Sequence, residues 1–171
     1  MRAVGRGLAA LVALLAVGAA AALAFGPREP VDRSISFEAA ALPADLDAWL
    51  AEREGGVPAL REAARKRIVW AGEAGEPTPF SIVYLHGFSA SAEEMRPVPN
   101  LVAQALGANL FFTRLTGHGR DGAAMAEASA GDWIEDTAEA LAIGRRIGER
   151  VVVIGTSTGG TLAALAAHDP E

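Results

Sequence analysis

The first hydrophobic pattern is an apolar run near the start of the chain. Leu8 to Phe25 contains only apolar residues and glycine, and Met1 to Arg6 ahead of it carries two arginines. Basic residues followed by an apolar stretch are typical of an export signal or a membrane anchor. A helix of this length reaches about 27 Å, enough to cross the hydrocarbon core. We therefore predict a signal anchor or signal peptide at residues 1–25, a linker at 26–34 and a folded domain at 35–171.

Two forms of this leader remain open. Ala22-Leu23-Ala24 supplies small residues at the positions that a signal peptidase inspects, which allows a cleaved signal. We favour the anchor, because the apolar run is longer than a typical signal core. An anchored chain would contact the membrane through this segment and keep its domain outside the cytoplasm, in the cell envelope. A cleaved chain would be secreted or periplasmic.

The rest of the chain alternates between strand-like and helix-like patterns. Strands are predicted at Arg67 to Ala71, Phe80 to Leu85, Asn109 to Thr113 and Val151 to Ile154. The last three are apolar without alternation, as expected for strands covered on both faces. Helices are predicted at Pro43 to Glu54, Ala59 to Lys66, Ser91 to Leu106, Asp132 to Ile147 and Gly159 to His168. This order predicts an α/β fold with a mostly parallel sheet and helices on both faces.

Polar residues at the predicted helix ends refine these bounds. Ser91 with Glu94, and Asp132 with Glu135, have the spacing of a capping box, so we place helix starts there. The basic cluster from Arg61 to Arg67 is interpreted as a solvated helix end, with contact to lipid headgroups as the alternative.

Composition excludes several classes of function. Hydrophobic residues make up 51% and charged residues 21%, so the chain is not of the disordered class. The net charge of −6 argues against nucleic acid as a partner. The absence of cysteine excludes disulfides and thiolate chemistry, and three histidines are few for a metal site. We predict neither a metal nor a cofactor.

The strongest chemical motif is Gly155-Thr156-Ser157-Thr158-Gly159, directly after an apolar strand and before a helix. A serine at the tip of so tight a turn forces Gly155 and Gly159 against each other, which requires that they lack side chains. Ser157 is therefore the candidate nucleophile. A nucleotide-binding loop is the competing interpretation, but the glycine spacing does not match a dinucleotide motif and no lysine follows.

A second motif, Tyr84 to Ser89, ends an earlier strand. Acyl transfer needs two backbone N–H donors aimed at the developing oxyanion. One comes from the residue after the nucleophile and one from the loop after this strand, so Thr158 and Phe88 are the candidates. Gly87 would allow the backbone to approach closely.

Together these motifs resemble the α/β-hydrolases of the monoglyceride-lipase, lysophospholipase and carboxylesterase-like group, also called the serine aminopeptidase type of domain. The matching pieces are His86-Gly87-Phe88, Leu115 to Arg120, Asp132-Trp133 and Gly155 to Gly160, within about residues 66 to 168. The resemblance implies a serine hydrolase of carboxylic esters, acting on a small ester or a lipid through an acyl-enzyme on Ser157. It also implies that the Gly117-His118-Gly119 loop has a structural role.

The general base is not identified among the histidines. His168 lies 11 positions along the helix that follows Ser157, about 16 Å away, whereas a base must come within about 3 Å of the hydroxyl. His86 and His118 are interpreted as loop residues, and Asp132 and Asp136 as helix-end residues. In the resembling family the acid and the base follow the nucleophile. We therefore expect a partial hydrolase domain, inactive and poorly soluble alone.

Two other functions fit the same residues. A membrane-tethered, non-catalytic α/β-hydrolase-like binding domain would also lack a base. A peptidase, thioesterase or acyltransferase of this fold would use the same nucleophile.

Overall fold

The computed structural model describes residues 2–27 and 30–168, and the chain divides into two compact units between Val31 and Asp32. The first unit contains α1 (Arg2–Phe25). Its segment Gly7–Phe25 has 19 residues with a mean hydropathy of 2.6, none of them buried. Its length and composition therefore suit a membrane span, and a signal sequence meets the same criteria.

The second unit alternates strands and helices. Its strands are β1 (Arg67–Val69), β2 (Thr78–Leu85), β3 (Asn109–Phe112) and β4 (Gly148–Gly155). Its α-helices are α2 (Leu46–Gly55), α3 (Val98–Leu106), α4 (Gly122–Met125), α5 (Ala130–Ile147) and α6 (Thr158–His168). Short 3₁₀ turns cover Ala39–Ala41 and Glu62–Ala64, the second being all that forms of the helix predicted from Ala59.

The four strands form one mixed sheet in the order β1-β3-β2-β4. β2 is parallel to both β3 and β4, and β1 is antiparallel to β3. Alternate residues of β2 face two separate cores, with Ile82 and Tyr84 in one and Val83 and Leu85 in the other. Helix α3 contacts β2 and β3, while α5 and α6 contact β2 and β4. The predicted α/β fold with a mostly parallel sheet is confirmed.

β4 differs from the expectation of a strand covered on both faces. It lies at the edge of the sheet, where it pairs with β2 within the described part of the chain. Its Val152 side is partly open, with 36% of that residue exposed. The strand that leads to Ser157 is therefore less covered than β2 and β3, whose central residues are fully buried.

The helix predicted from Ser91 begins seven residues later than expected. Residues 92–97 form turns, and α3 starts at Val98 after Pro97. Proline has no backbone N–H to donate to a preceding turn, so Pro97 does not continue a helix from Ser91 and stands instead just before α3. The predicted capping box of Ser91 and Glu94 is therefore wrong, and Glu94 is directed elsewhere.

The start of α5 also requires a correction. The helix begins at Ala130, and its capping box pairs Ser129 with Asp132 rather than Asp132 with Glu135. The Asp132 carboxylate accepts the Ser129 N–H at 2.8 Å. Glu135 instead accepts the N–H and the hydroxyl of Ser36, which connects the chain before α2 to α5. Ser129 and Asp132 are both suitable N-cap residues with an acid three positions later, and sequence spacing did not separate the two pairs.

Candidate active site

Ser157 lies at the tip of a sharp turn between β4 and α6. Its φ of 50° is in the left-handed region, which non-glycine residues adopt rarely and at an energetic cost. Thr156 before it donates its N–H to the Leu85 carbonyl at 3.0 Å, so the turn is held against the end of β2. The Ser157 residue is exposed. This is the strand–turn–helix geometry that places a serine hydroxyl above the edge of a sheet.

Close approach of the backbone explains two glycines of the turn. A Cβ on Gly159 would lie 2.1 Å from the Leu85 carbonyl oxygen, and one on Gly155 would lie 2.6 Å from the Gly159 oxygen. Both distances are far inside van der Waals contact, and the opposing atoms are backbone. The turn can therefore form only when both positions lack side chains.

A further feature of the site is a pair of backbone N–H groups, those of Phe88 and Thr158. Among the residues that the structure describes, neither Phe88 N–H nor Thr158 N–H donates a hydrogen bond. The Ser157 Cβ lies 3.5 Å from the point that a Cβ on Gly87 would take, which brings the loop after β2 against the turn that carries Ser157. The structure thus brings together Ser157, Gly87, Phe88 and Thr158. It leaves the two amides available to an oxygen of a ligand.

Glu94 is a residue of this site that the sequence interpretation assigned to a helix cap. Its carboxylate accepts the Gly87 N–H at 2.9 Å and the Tyr84 hydroxyl at 3.0 Å. The Tyr84 hydroxyl also lies 3.3 Å from the Thr156 hydroxyl, so the network reaches the residue before Ser157. Burial, with a contribution from Glu94, raises the pKa of Tyr84 to about 12, so this phenol keeps its proton. The signal available in the sequence for this contact was an acidic residue seven positions after Gly87.

The two loop histidines connect the loop after β2 to the loop after β3. His86 Nε2 accepts the Leu115 N–H at 3.1 Å, and His118 Nε2 accepts the Ser89 N–H at 3.1 Å. Each Nδ1 lies near a carbonyl, that of Gly87 for His86 and that of Thr116 for His118. One tautomer, neutral with its proton on Nδ1, satisfies all four contacts. Both rings are therefore committed to backbone groups.

Burial keeps these histidines neutral. It lowers the pKa of His86 to about 4 against the opposing hydrogen bond to the Gly87 carbonyl. It also lowers the pKa of His118, again against its backbone hydrogen bonds. Neither ring has a hydrogen bond to Ser157, and His168 stands at the far end of α6. None of the three histidines is placed to act as the base for Ser157.

Three aromatic rings pack together next to the loop that follows β2. The rings of Phe88, His118 and Trp133 contact one another, with centroids 5.6–6.1 Å apart. Trp133 Nε1 donates to the Thr116 carbonyl at 3.0 Å, and Asp136 accepts the Thr116 N–H. The loop after β3 is thereby fixed from α5, which agrees with the structural role expected for Gly117-His118-Gly119.

Paired charges are buried behind this loop. Arg114 donates two hydrogen bonds to the Glu54 carboxylate, at 2.7 and 2.9 Å. Lys66 donates to Glu139, and its side chain is only 7% exposed, so its predicted place at a solvated helix end is wrong. Burial works to raise the pKa of Glu54, but Arg114 and the Lys66 N–H lower it overall. The charges in this layer tie α2 to the segment after β3, and α5 to the segment before β1.

A cavity of about 290 Å³ lies elsewhere, between the segment around Ile35 and the helices α5 and α6. Its lining does not include Phe88, Ser157 or Thr158. In the described part of the chain, no group of three or more histidine, aspartate or glutamate side chains is arranged to hold a metal ion.

Comparison with known proteins supports the fold. Residues 82–170 match the model of the alpha/beta hydrolase family, which is more than half of the chain. A thermostable monoacylglycerol lipase from Bacillus sp. (strain H-257) is 32% identical over 97 residues, which covers 56% of this chain and 38% of the lipase. A solved structure from a study of LipS and LipT, two metagenome-derived lipolytic enzymes, is 29% identical with a TM-score of 0.55. The match covers 63% of this chain and 41% of the chain in that structure.

The chain thus spans about two fifths of the length of these relatives. The family match begins within β2 and continues through the Ser157 turn and along α6, so it covers both motifs of the site. On the fold, the turn and these comparisons, the chain belongs to the alpha/beta hydrolase family and is similar to its lipases and esterases.

Proposed function

We propose that this protein is a serine hydrolase of carboxylic esters in which Ser157 is the nucleophile. The observation that carries the proposal is the exposed Ser157 at a left-handed turn, next to the N–H groups of Phe88 and Thr158, which have no acceptor among the described residues. The lipolytic relatives support a lipid or small-molecule ester as substrate.

The proposed reaction passes through an acyl-enzyme. The Ser157 Oγ attacks the ester carbonyl carbon while its proton passes to a general base, and the carbonyl oxygen becomes an oxyanion. Phe88 N–H and Thr158 N–H donate to that oxyanion, each contributing about 3 kcal/mol to transition-state stabilisation. The tetrahedral intermediate then releases the alcohol, which takes up the proton. Water hydrolyses the acyl-enzyme by the same steps and frees the carboxylic acid.

The general base is a further part of the proposal. Both nitrogens of His86 and of His118 lie at backbone groups, and the 11-residue helix α6 separates His168 from the turn. We therefore take the base, and the acid that orients it, from residues other than those of these 171 positions. The 171 residues by themselves then have little activity, because an unactivated serine is a poor nucleophile.

Location is proposed from α1. A 19-residue apolar segment of mean hydropathy 2.6, preceded in sequence by Arg2 and Arg6, supports attachment to a membrane of the cell envelope, and a cleaved leader is the alternative. An enzyme held there would meet lipid esters at the surface where they reside.

The experiment is covalent labelling of the complete gene product with an alkyl fluorophosphonate, together with hydrolysis of p-nitrophenyl esters. We expect one adduct, mapped to Ser157, and loss of both adduct and hydrolysis in Ser157→Ala. The 171-residue chain serves as the matched sample without the proposed base, and should label at least about 10³-fold more slowly.

Labelling that persists in Ser157→Ala would contradict the assignment of the nucleophile. A complete product that neither labels nor hydrolyses esters would favour the second candidate, a non-catalytic binding domain. The engagement of His86 and His118 with backbone is the observation in favour of that candidate. A labelled protein that cleaves peptides or thioesters but not oxygen esters would keep the nucleophile and change the reaction.

A further inference from the structure

Glu94 places a carboxylate close to the nucleophile. Its Oε1 lies 3.0 Å from the point that a Cβ on Gly87 would take, and the Ser157 Cβ lies 3.5 Å from that same point. The two atoms are therefore at most 6.5 Å apart. Both Glu94 and Ser157 are exposed, so the carboxylate borders the space in front of the serine.

The charge of Glu94 has no cationic partner among the residues that the structure describes. Its neighbour Glu93 is paired with Arg67 at 3.0 Å and with Arg96 at 3.1 Å. The partners of Glu94 are neutral donors, the Gly87 N–H and the Tyr84 hydroxyl. The two adjacent glutamates thus differ in their electrostatic setting, because the charge of Glu93 is compensated by arginines and that of Glu94 is not.

The buried cations near the site do not compensate it either. Arg114 is engaged by Glu54, and Lys66 lies between Glu139 and Asp136. Charges in such buried pairs largely cancel at a distance, whereas a single charge within 6.5 Å acts strongly on a ligand at Ser157. Glu94 therefore contributes an uncancelled negative charge to the space in front of Ser157.

We propose that Glu94 determines the charge specificity of this site, favouring esters with a neutral or cationic group beside the scissile bond over esters with a phosphate or carboxylate there. This inference rests on the proposed function, since it concerns substrates of Ser157. It separates neutral acylglycerol-like esters from phosphate-bearing ones. A carboxylate beside the oxyanion also disfavours a substrate that brings a second negative charge to the same place.

Glu94 also orients the loop after β2, so a test must separate its charge from its hydrogen bonds. Glu94→Gln removes the charge and keeps an amide oxygen that can accept the Gly87 N–H and the Tyr84 hydroxyl. Glu93→Gln is the matched control, because it removes an adjacent charge of the same type that Arg67 and Arg96 already compensate.

The experiment measures the potential at position 157 without requiring catalysis. The chain has no cysteine, so Ser157→Cys creates its single thiol. The second-order rates of modification by a cationic and an anionic alkyl thiosulfonate of equal length are compared on the full 171-residue chain. Their ratio reports the local potential, because the thiol's own reactivity affects both rates equally. We expect the cationic reagent to react faster and Glu94→Gln to lower the ratio about fivefold to tenfold.

The control and the salt dependence decide the outcome. Glu93→Gln should change the ratio less than about twofold, and raising the salt to about 0.5 M should reduce the ratio in the Ser157→Cys parent chain. A ratio near one in the parent chain, or a ratio that Glu94→Gln leaves unchanged, overturns the inference. The salt arm keeps the test valid if Glu94→Gln does not fold. Failure of the proposed function is seen separately, as the absence of the Ser157 adduct with fluorophosphonate.

Discussion

Single residues of the site divide into those that sequence spacing identifies and those that only the folded chain reveals. Ser157, Gly155 and Gly159 are fixed by a local turn, so five consecutive residues contain the information. Glu94 is different, because its role depends on where residues 92–97 turn and on its contact with Gly87. Lys66 is likewise misassigned from sequence, because its partner Glu139 lies 73 positions away.

The close packing of Gly155 and Gly159 in the turn gives a prediction at the scale of single residues. Gly159→Ala would set a methyl group 2.1 Å from the Leu85 carbonyl oxygen, so the turn must open or the chain must not fold. We expect the free energy of unfolding to drop by about 3 kcal/mol or more, measured by urea denaturation. Gly122→Ala in α4 is the control, since a Cβ there meets no atom within 4 Å. Equal stabilities of the two variants would disprove this account of the turn.

His86 gives a prediction about pH. Burial lowers the pKa of His86 from 6.5 to about 4. Between these two pH values the imidazole is therefore protonated in the unfolded chain and neutral in the folded chain. Its contribution to stability is complete above pH 6.5 and is lost as the pH falls to about 4, a change of about 3 kcal/mol. The free energy of unfolding of His86→Gln should therefore fall less between about pH 7.5 and pH 4.5 than that of the parent chain. Parallel pH curves would contradict it.

At the scale of elements, the sequence predicted which segments are strands and helices better than where they begin. Apolar runs such as that of β2 are set by burial on both faces, and β2 occupies the centre of the sheet. Helix starts depend on competing caps. Pro97 delays α3, and Ser129 captures Asp132 ahead of the predicted start of α5. Sequence spacing alone does not rank two candidate caps a few residues apart.

The ion pair between α2 and the end of β3 gives a prediction about elements. Arg114→Met leaves Glu54 buried, 2% exposed, without its cation, so we expect a loss of about 3–5 kcal/mol in the free energy of unfolding. Adding Glu54→Gln removes the stranded charge and keeps an acceptor for the Lys66 N–H. The double variant should recover at least about 2 kcal/mol, measured by urea denaturation. A double variant less stable than Arg114→Met would contradict this.

At the scale of the whole molecule, family membership follows from few residues because the fold concentrates its information near one sheet edge. The ends of β2 and β4 supply the loop of Phe88 and the turn of Ser157, and their parallel register places them side by side. What the sequence could not show is the electrostatic setting. The compensated charges lie on α2, on α5 and in the segments just before β1 and just after β3, and the uncompensated one precedes α3.

The position of β4 at the edge of the sheet leaves room for a further strand next to the segment that leads to Ser157. Along its side away from β2, main-chain donors and acceptors have no partner strand among the described residues, and Val152 is partly open. Such a border can accept a further strand, from the same polypeptide or from another. Any strand added there would extend the sheet alongside the segment that leads to Ser157. Its length and register would then govern how closely neighbouring structure crowds the Ser157 hydroxyl.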